Sequence, residues 1–140
     1  MNKLILFLFV LTLVINACIK DNTPEAPVDN PVDTSMAVKS FSGTFGDGPY
    51  GLVMGSARIY LQDNQYILAL ENFNSSNGPD LHVYISKERL PVNYIDLGRL
   101  QSTSGNQQYP LTGDIDFTVY KYALIHCQRY NHLFGSAELK

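Results

Sequence analysis

Cys127 has the clearest chemical potential in this chain of 140 residues. It stands in the run YKYALIHCQRY, residues 120–130. A thiol reacts through its thiolate, which requires a lowered pKa and access. Arg129 follows two positions later, so in a continuous strand the two Cα atoms lie about 6.6 Å apart on one face, and the guanidinium favours the thiolate. The alternative is a buried structural cysteine, because cysteine is among the most buried residue types.

Asp80, His82 and His126 form a second group of candidates. Asp80 and His82 stand two residues apart on one strand face, where they could share a cation, and His126 faces outward from another strand. Metal-binding spacings such as CxxC and HExxH are absent from the sequence, so no metal site is predicted. The alternative for Asp80 is a turn residue whose carboxylate accepts hydrogen bonds from backbone amides of the loop before it.

Two loops are candidates for binding. One is the glycine-rich stretch 46–51, which lacks the GK[ST] ending of a phosphate-binding loop. The other is the polar stretch 72–80, in which Asn72, Gly78 and Pro79 accompany Asp80.

The elements that position these residues are strands, because alternating and β-branched runs dominate and helix signals are nearly absent. Asp63-Asn64 predicts a two-residue hairpin between strands 53–62 and 65–71. Val119–Gln128 is apolar on both faces, which is typical of a mid-sheet strand covered on both sides. The sequence predicts an all-β fold, an antiparallel β-sandwich or flattened barrel of about eight strands. The remaining predicted strands are 40–45, 80–86, 94–100, 107–111 and 132–139.

The N-terminus predicts a lipoprotein signal. Lys3 precedes the apolar run Leu4–Ile15, and Ile15-Asn16-Ala17-Cys18 resembles a bacterial lipobox whose cysteine becomes a lipidated N-terminus. Ordinary cleavage after Ala17 is the alternative. We therefore expect a signal peptide over 1–17, a lipidated Cys18 with a proline-rich tether over 18–38, and a folded domain over 39–140.

The predicted location is the bacterial cell envelope. Ile19 rather than Asp follows Cys18, which favours the outer membrane and leaves the leaflet open. Cleavage removes only Lys3 among charged residues, leaving 9 basic against 13 acidic residues and a net charge of −4. No basic cluster is present, which argues against nucleic acid as a partner. With Cys18 lipidated, Cys127 has no intramolecular disulfide partner.

Beyond these features, the chain resembles the DM13 electron-transfer domain family over Phe41–Leu139. The resemblance rests on the order and spacing of six pieces: 41–45, 57–60, 70–73, 78–84, 96–98 with 105–109, and Cys127 with 134–139. It implies extracellular electron transfer with the cysteine as a redox or haem-binding group. An aromatic residue often precedes the family cysteine, where this chain has His126.

These observations support two hypotheses for function. The first is a lipid-anchored envelope domain in electron transfer or redox handling through Cys127, served by a redox partner protein. A haem or metal cofactor is compatible with the resemblance but is not supported by ligand spacing. The second is a non-catalytic β-sandwich module that binds an envelope protein or glycan. No hydrolase-type constellation is present, so the domain is not expected to be an enzyme on its own.

Overall fold

The structure, a computed structural model, describes residues 22–140 and is built of strands. The predicted signal peptide and Cys18 lie outside this range. In chain order, nine strands are β1 (Val28–Asp29), β2 (Val38–Asp47), β3 (Val53–Gln62), β4 (Gln65–Ser75), β5 (Leu81–Ser86), β6 (Tyr94–Arg99), β7 (Ser104–Leu111), β8 (Tyr122–Cys127) and β9 (His132–Glu138).

All nine strands belong to one sheet in the order β1-β7-β4-β3-β2-β9-β8-β5-β6. Neighbours are antiparallel except β1 and β7. Side chains from both halves of the sheet, such as Leu68 of β4 and Ile125 of β8, pack in one apolar core. The sheet must therefore curl around that core as a half-barrel. The all-β prediction is confirmed, with nine strands rather than about eight.

The hairpin between β3 and β4 has the predicted position. Asp63 and Asn64 have φ angles of 48° and 63°, and Gln62 pairs with Gln65 across them. Two consecutive left-handed residues match the twist of the flanking strands, and Asp and Asn tolerate this conformation better than most residues. The residue types at these two positions were therefore enough to predict the turn.

Strand β8 lies mid-sheet and is covered on both faces, as its sequence predicts. Ala123, Ile125 and Cys127 belong to the main core. On the opposite face, Leu124 packs with Tyr84 and Leu133 in a separate apolar cluster. Cys127 is thus attached to a rigid element that is buried on both sides.

Strand β4 extends past its predicted end at residue 71. The polar residues that follow pair through their backbones with the start of β7, with Phe73 opposite Gly105 and Asn74 opposite Ser104. Asn72 has a φ of 47° at an irregularity in this pairing, and its N–H donates to Asn106 Oδ1. The prediction that Asn72 begins a loop is wrong, because a bulge lets the ladder continue past it.

The segment before residue 39, expected to be a flexible tether, is packed on the domain from Asn22 onward. Strand β1 pairs with β7 at Val28 opposite Gly105, and Asn30 N–H donates to Asn106 O. Val32 is buried against Tyr60 and Ala69. The exposed edge of β7 offers unpaired backbone groups, and pairing the segment there satisfies them without requiring an apolar sequence.

Within residues 22–140 the structure contains no helix long and apolar enough to cross a membrane.

The packed N-terminal segment leads to a first prediction. Val32→Asp should lower the free energy of unfolding by about 2 kcal/mol, because it buries a carboxylate against Tyr60 and Ala69. Urea unfolding measures the change. Val92→Asp is the matched control and should change stability little, since Val92 is exposed in the loop after β5. Equal stability of the two variants would mean that the segment does not pack on the domain.

Candidate functional site

Cys127 is the last residue of β8 and faces the core, where it is 1% exposed. Its thiol donates a hydrogen bond to the carbonyl oxygen of Pro79, with an Sγ–O distance of 2.8 Å. A carbonyl can only accept, so the sulfur in this arrangement carries its proton. The structure therefore holds Cys127 as a neutral, shielded thiol.

The cover over the sulfur is formed where the chain turns into β5. Asp80 has a φ of 65°, and its carbonyl accepts a hydrogen bond from Gln128 N–H at 3.1 Å. The next residue, Leu81, pairs directly with Cys127. Aspartate tolerates this left-handed conformation better than most residues, which explains its use immediately after Pro79.

The covering loop is fastened by the N-terminal segment Asn22–Glu25, which we call the strap. Asn22 forms a bridge with Pro79, and the N–H and hydroxyl of Thr23 both donate to Gly78 O at 3.3 and 3.2 Å. Asn77 Nδ2 in turn donates to Thr23 O at 3.2 Å and to Glu25 Oε1 at 2.7 Å. The strap is held mainly by hydrogen bonds of a polar loop, so it is the less stable part of the cover.

Gly78 is required for close packing beneath the strap. A Cβ atom there would lie 2.8 Å from Cζ of Phe134 in the core. Any larger residue would push the loop away from the sheet.

Arg129 does not share a strand face with Cys127. Strand β8 ends at Cys127, and Arg129 lies exposed in the turn that leads to β9. Asn131 makes this turn possible with a φ of 54°, and its N–H donates to Gln128 O. The expectation of a continuous strand through Arg129 was wrong because the hairpin begins one residue after the thiol.

His82 and His126 face each other on neighbouring strands, a proximity that the sequence alone left open. His82 Nδ1 lies 3.0 Å from both carboxylate oxygens of Asp96 on β6. Its Nε2 lies 3.4 Å from Asp80 Oδ1. Both ring nitrogens are therefore directed at carboxylates.

The two carboxylates of this cluster, Asp80 and Asp96, also have partners other than His82. Asp80 Oδ1 pairs with Arg99 at 2.7 Å, so its side chain contacts side chains and does not cap the preceding loop as expected. Asp96 accepts from Gln128 Nε2 at 2.7 Å and from Gly98 N–H at 2.8 Å. Sequence reasoning did not select Asp96, Arg99 or Gln128 as site residues, because their approach depends on the register of β6 and the turn after β8.

A bound metal or haem does not fit this arrangement. Among residues 22–140 no group of three or more His, Cys, Asp or Glu side chains is placed to hold a metal ion. Cys127 is covered by its carbonyl partner and the apolar core, so in this arrangement it presents no sulfur to a haem iron.

His126 is a buried histidine with one unsatisfied nitrogen. Its Nε2–H donates a hydrogen bond to Asn131 Oδ1 at 3.1 Å, and Nδ1 has no partner within the described chain. Burial lowers the pKa of His126 below its ordinary 6.5; the bond to Asn131 opposes this, and His132 and His82 add to it. The lowered pKa favours the neutral ring. This ring lies close to that of Tyr84, with 5.3 Å between the centroids.

The pKa of His126 predicts an acid-sensitive fold. The unfolded chain binds a proton near pH 6.5 that the folded chain resists, so the free energy of unfolding should fall as pH drops below about 6.5. His126→Gln should flatten this decline between pH 7.5 and 5.5, measured by urea unfolding at each pH. Parallel profiles for the two proteins would contradict the assignment.

Comparison with known protein families gave one match. The family model described as "Electron transfer DM13" matches residues 44–139, well over half of the chain. No curated protein and no solved structure matched. The resemblance drawn from the sequence is confirmed, and the chain belongs to the DM13 electron-transfer family.

Proposed function

We propose that this domain transfers electrons at the bacterial cell envelope and that Cys127 is its redox-active group. Family membership supports a general electron-transfer role. The observation that carries the assignment to Cys127 is the thiol held protonated beneath Pro79, under a loop fastened by a polar strap. Such a thiol is unreactive while covered and becomes available when the loop opens.

The redox step is thiol–disulfide exchange with a partner protein that carries a disulfide. Once uncovered, Cys127 gives its proton to water, and its sulfur attacks one sulfur of the partner disulfide. The partner S–S bond breaks, a Cys127–partner disulfide forms, and the second partner sulfur leaves as a thiolate that takes up a proton. The attacking pair of Cys127 becomes the new S–S bond, and the pair of the broken S–S bond stays on the leaving sulfur, so Cys127 is oxidised as that sulfur is reduced. A thiol of a second partner then attacks the mixed disulfide and releases Cys127 as a thiol again.

One neighbouring feature would assist this step. Arg129 lies in the exposed turn two residues from Cys127, where its positive charge favours a thiolate that has left the core.

Membrane anchoring completes the proposal. The lipobox predicts that Cys18 carries the lipid that attaches the domain to the outer membrane. The lipidated cysteine has no free thiol, so Cys127 is the one sulfhydryl left for exchange.

Replacing the thiol tests the proposal. Cys127→Ser should fold, because a hydroxyl can donate to Pro79 O in place of the thiol. The variant should lose all reaction with an aromatic disulfide reagent, whereas the native protein should release one equivalent of reagent thiolate. If the native protein reacts only after unfolding, and its visible spectrum has no chromophore, Cys127 is a structural residue.

Loosening the strap should expose the thiol. Thr23→Ala combined with Asn77→Ala removes side-chain hydrogen bonds from both sides of the loop. At about 1 kcal/mol for each bond, the rate of Cys127 labelling should rise about tenfold or more. Gln108→Ala is the control, because it removes a bond to Pro31 but leaves the strap intact. An equal rate in both variants would show that the strap does not limit access.

A second candidate function is the non-catalytic binding module. The stretches 46–51 and 72–80 meet at one end of the sheet, where Leu52 N–H donates to Ser76 Oγ and Gly51 and Gly78 both lie against Phe134. A module of this kind is favoured if Cys127→Ser keeps an envelope protein or glycan bound while substitutions in these loops abolish binding.

A further inference from the structure

Four large side chains with apolar bodies are exposed at one end of the sheet. Their exposed fractions are 57–67%. We call this set the apolar end face: Tyr50, Leu52, Met54 and Tyr130.

Contacts with neighbouring residues order three members of the apolar end face. The ring of Tyr50 stacks on His132 at 3.7 Å, and the Tyr130 ring lies 5.9 Å from the same histidine. Leu52 makes two hydrogen bonds with Ser76. The Leu52 N–H donates to Ser76 Oγ at 3.1 Å, and the Leu52 carbonyl oxygen accepts from the Ser76 N–H at 2.9 Å. The face is therefore built on ordered backbone.

The N-terminal chain reaches the domain at this same end. Asn22 pairs with Pro79, and Thr23 bonds to Asn77, the neighbour of Ser76. Three residues separate Asn22 from Cys18, so a fully extended chain spans at most about 14 Å between them. A lipid on Cys18 would therefore hold this end of the domain beside the bilayer.

We propose that the apolar end face rests on the surface of a lipid bilayer and, with the anchor, fixes the orientation of the domain. This inference builds on the proposed lipidation of Cys18. Tyrosine favours the membrane–water boundary, and Leu52 and Met54 supply apolar surface to the region just beneath it. The nearby carboxylate of Asp47 accepts from Val53 N–H, and the face carries no basic cluster. Zwitterionic lipid is the occupant that this chemistry fits.

Contact with the bilayer would also limit the partners of Cys127. Pro79 and the strap lie at this end, so the loop that covers the thiol faces the membrane. A partner that exchanges electrons with Cys127 must then work at the bilayer surface.

Tryptophan reporters test the proposal, since the chain has no tryptophan of its own. The full chain is expressed as the processed protein and reconstituted in phosphatidylcholine vesicles with brominated acyl chains. Leu52→Trp should be quenched at least about twofold more than Leu90→Trp. Leu90 is the matched control, because it is 57% exposed in the loop at the opposite end of β5.

A second pair of variants tests whether the apolar end face contacts the bilayer or is only held near it by the anchor. In a Tyr130→Trp protein, adding Leu52→Ser and Met54→Ser should reduce quenching by about half or more, whereas adding Leu90→Ser and Val92→Ser should not. Equal quenching at residues 52 and 90, or no effect of the serine pair, would overturn the proposal.

The mass of the N-terminal peptide from the same sample reports separately on the anchor. If Cys18 carries no lipid, the anchoring proposal fails. The unanchored Leu52→Trp protein is then titrated with the same vesicles, where quenching still supports the apolar end face and its absence overturns it.

Discussion

The hydrogen bond from the Cys127 thiol to the Pro79 carbonyl is the contact around which the site is organised. It requires the left-handed turn at Asp80 and the register that sets Leu81 opposite Cys127. A carbonyl can only accept, so the contact exists only while the sulfur carries its proton. The thiol of Cys127 can therefore react only when the loop moves, so the hydrogen bonds that hold the loop control its reactivity.

The two faces of β8 lie in different chemical environments. The inner face places Cys127 in the apolar core, where a charged sulfur is costly. The outer face carries ionisable groups that contact one another, with His82 between Asp96 and Asp80 and Arg99 paired to Asp80. A cluster satisfied internally orders the start of β5, and so the cover over the sulfur, without requiring a bound ion.

The N-terminal segment connects this site to the outside of the domain. A free tether would hold the domain away from its point of attachment. Pairing of β1 with β7 and of Asn22 with Pro79 instead brings the chain across the covering loop. The cover and the apolar end face then lie at one end of the sheet, and the proposed lipidation of Cys18 would place the attachment at that end as well.

The sequence by itself determined the features that depend on neighbouring residues: the all-β class, the Asp63-Asn64 hairpin, the two apolar faces of β8 and the family pattern. Alternation and turn chemistry are local, so they can be read along the chain. Only the tertiary structure decided that His82 faces His126, that Asp96 and Gln128 join them, and that the polar residues before 39 pack on β7. Those contacts depend on strand order, register and the unpaired backbone of a sheet edge, and side-chain type carries little information about any of the three.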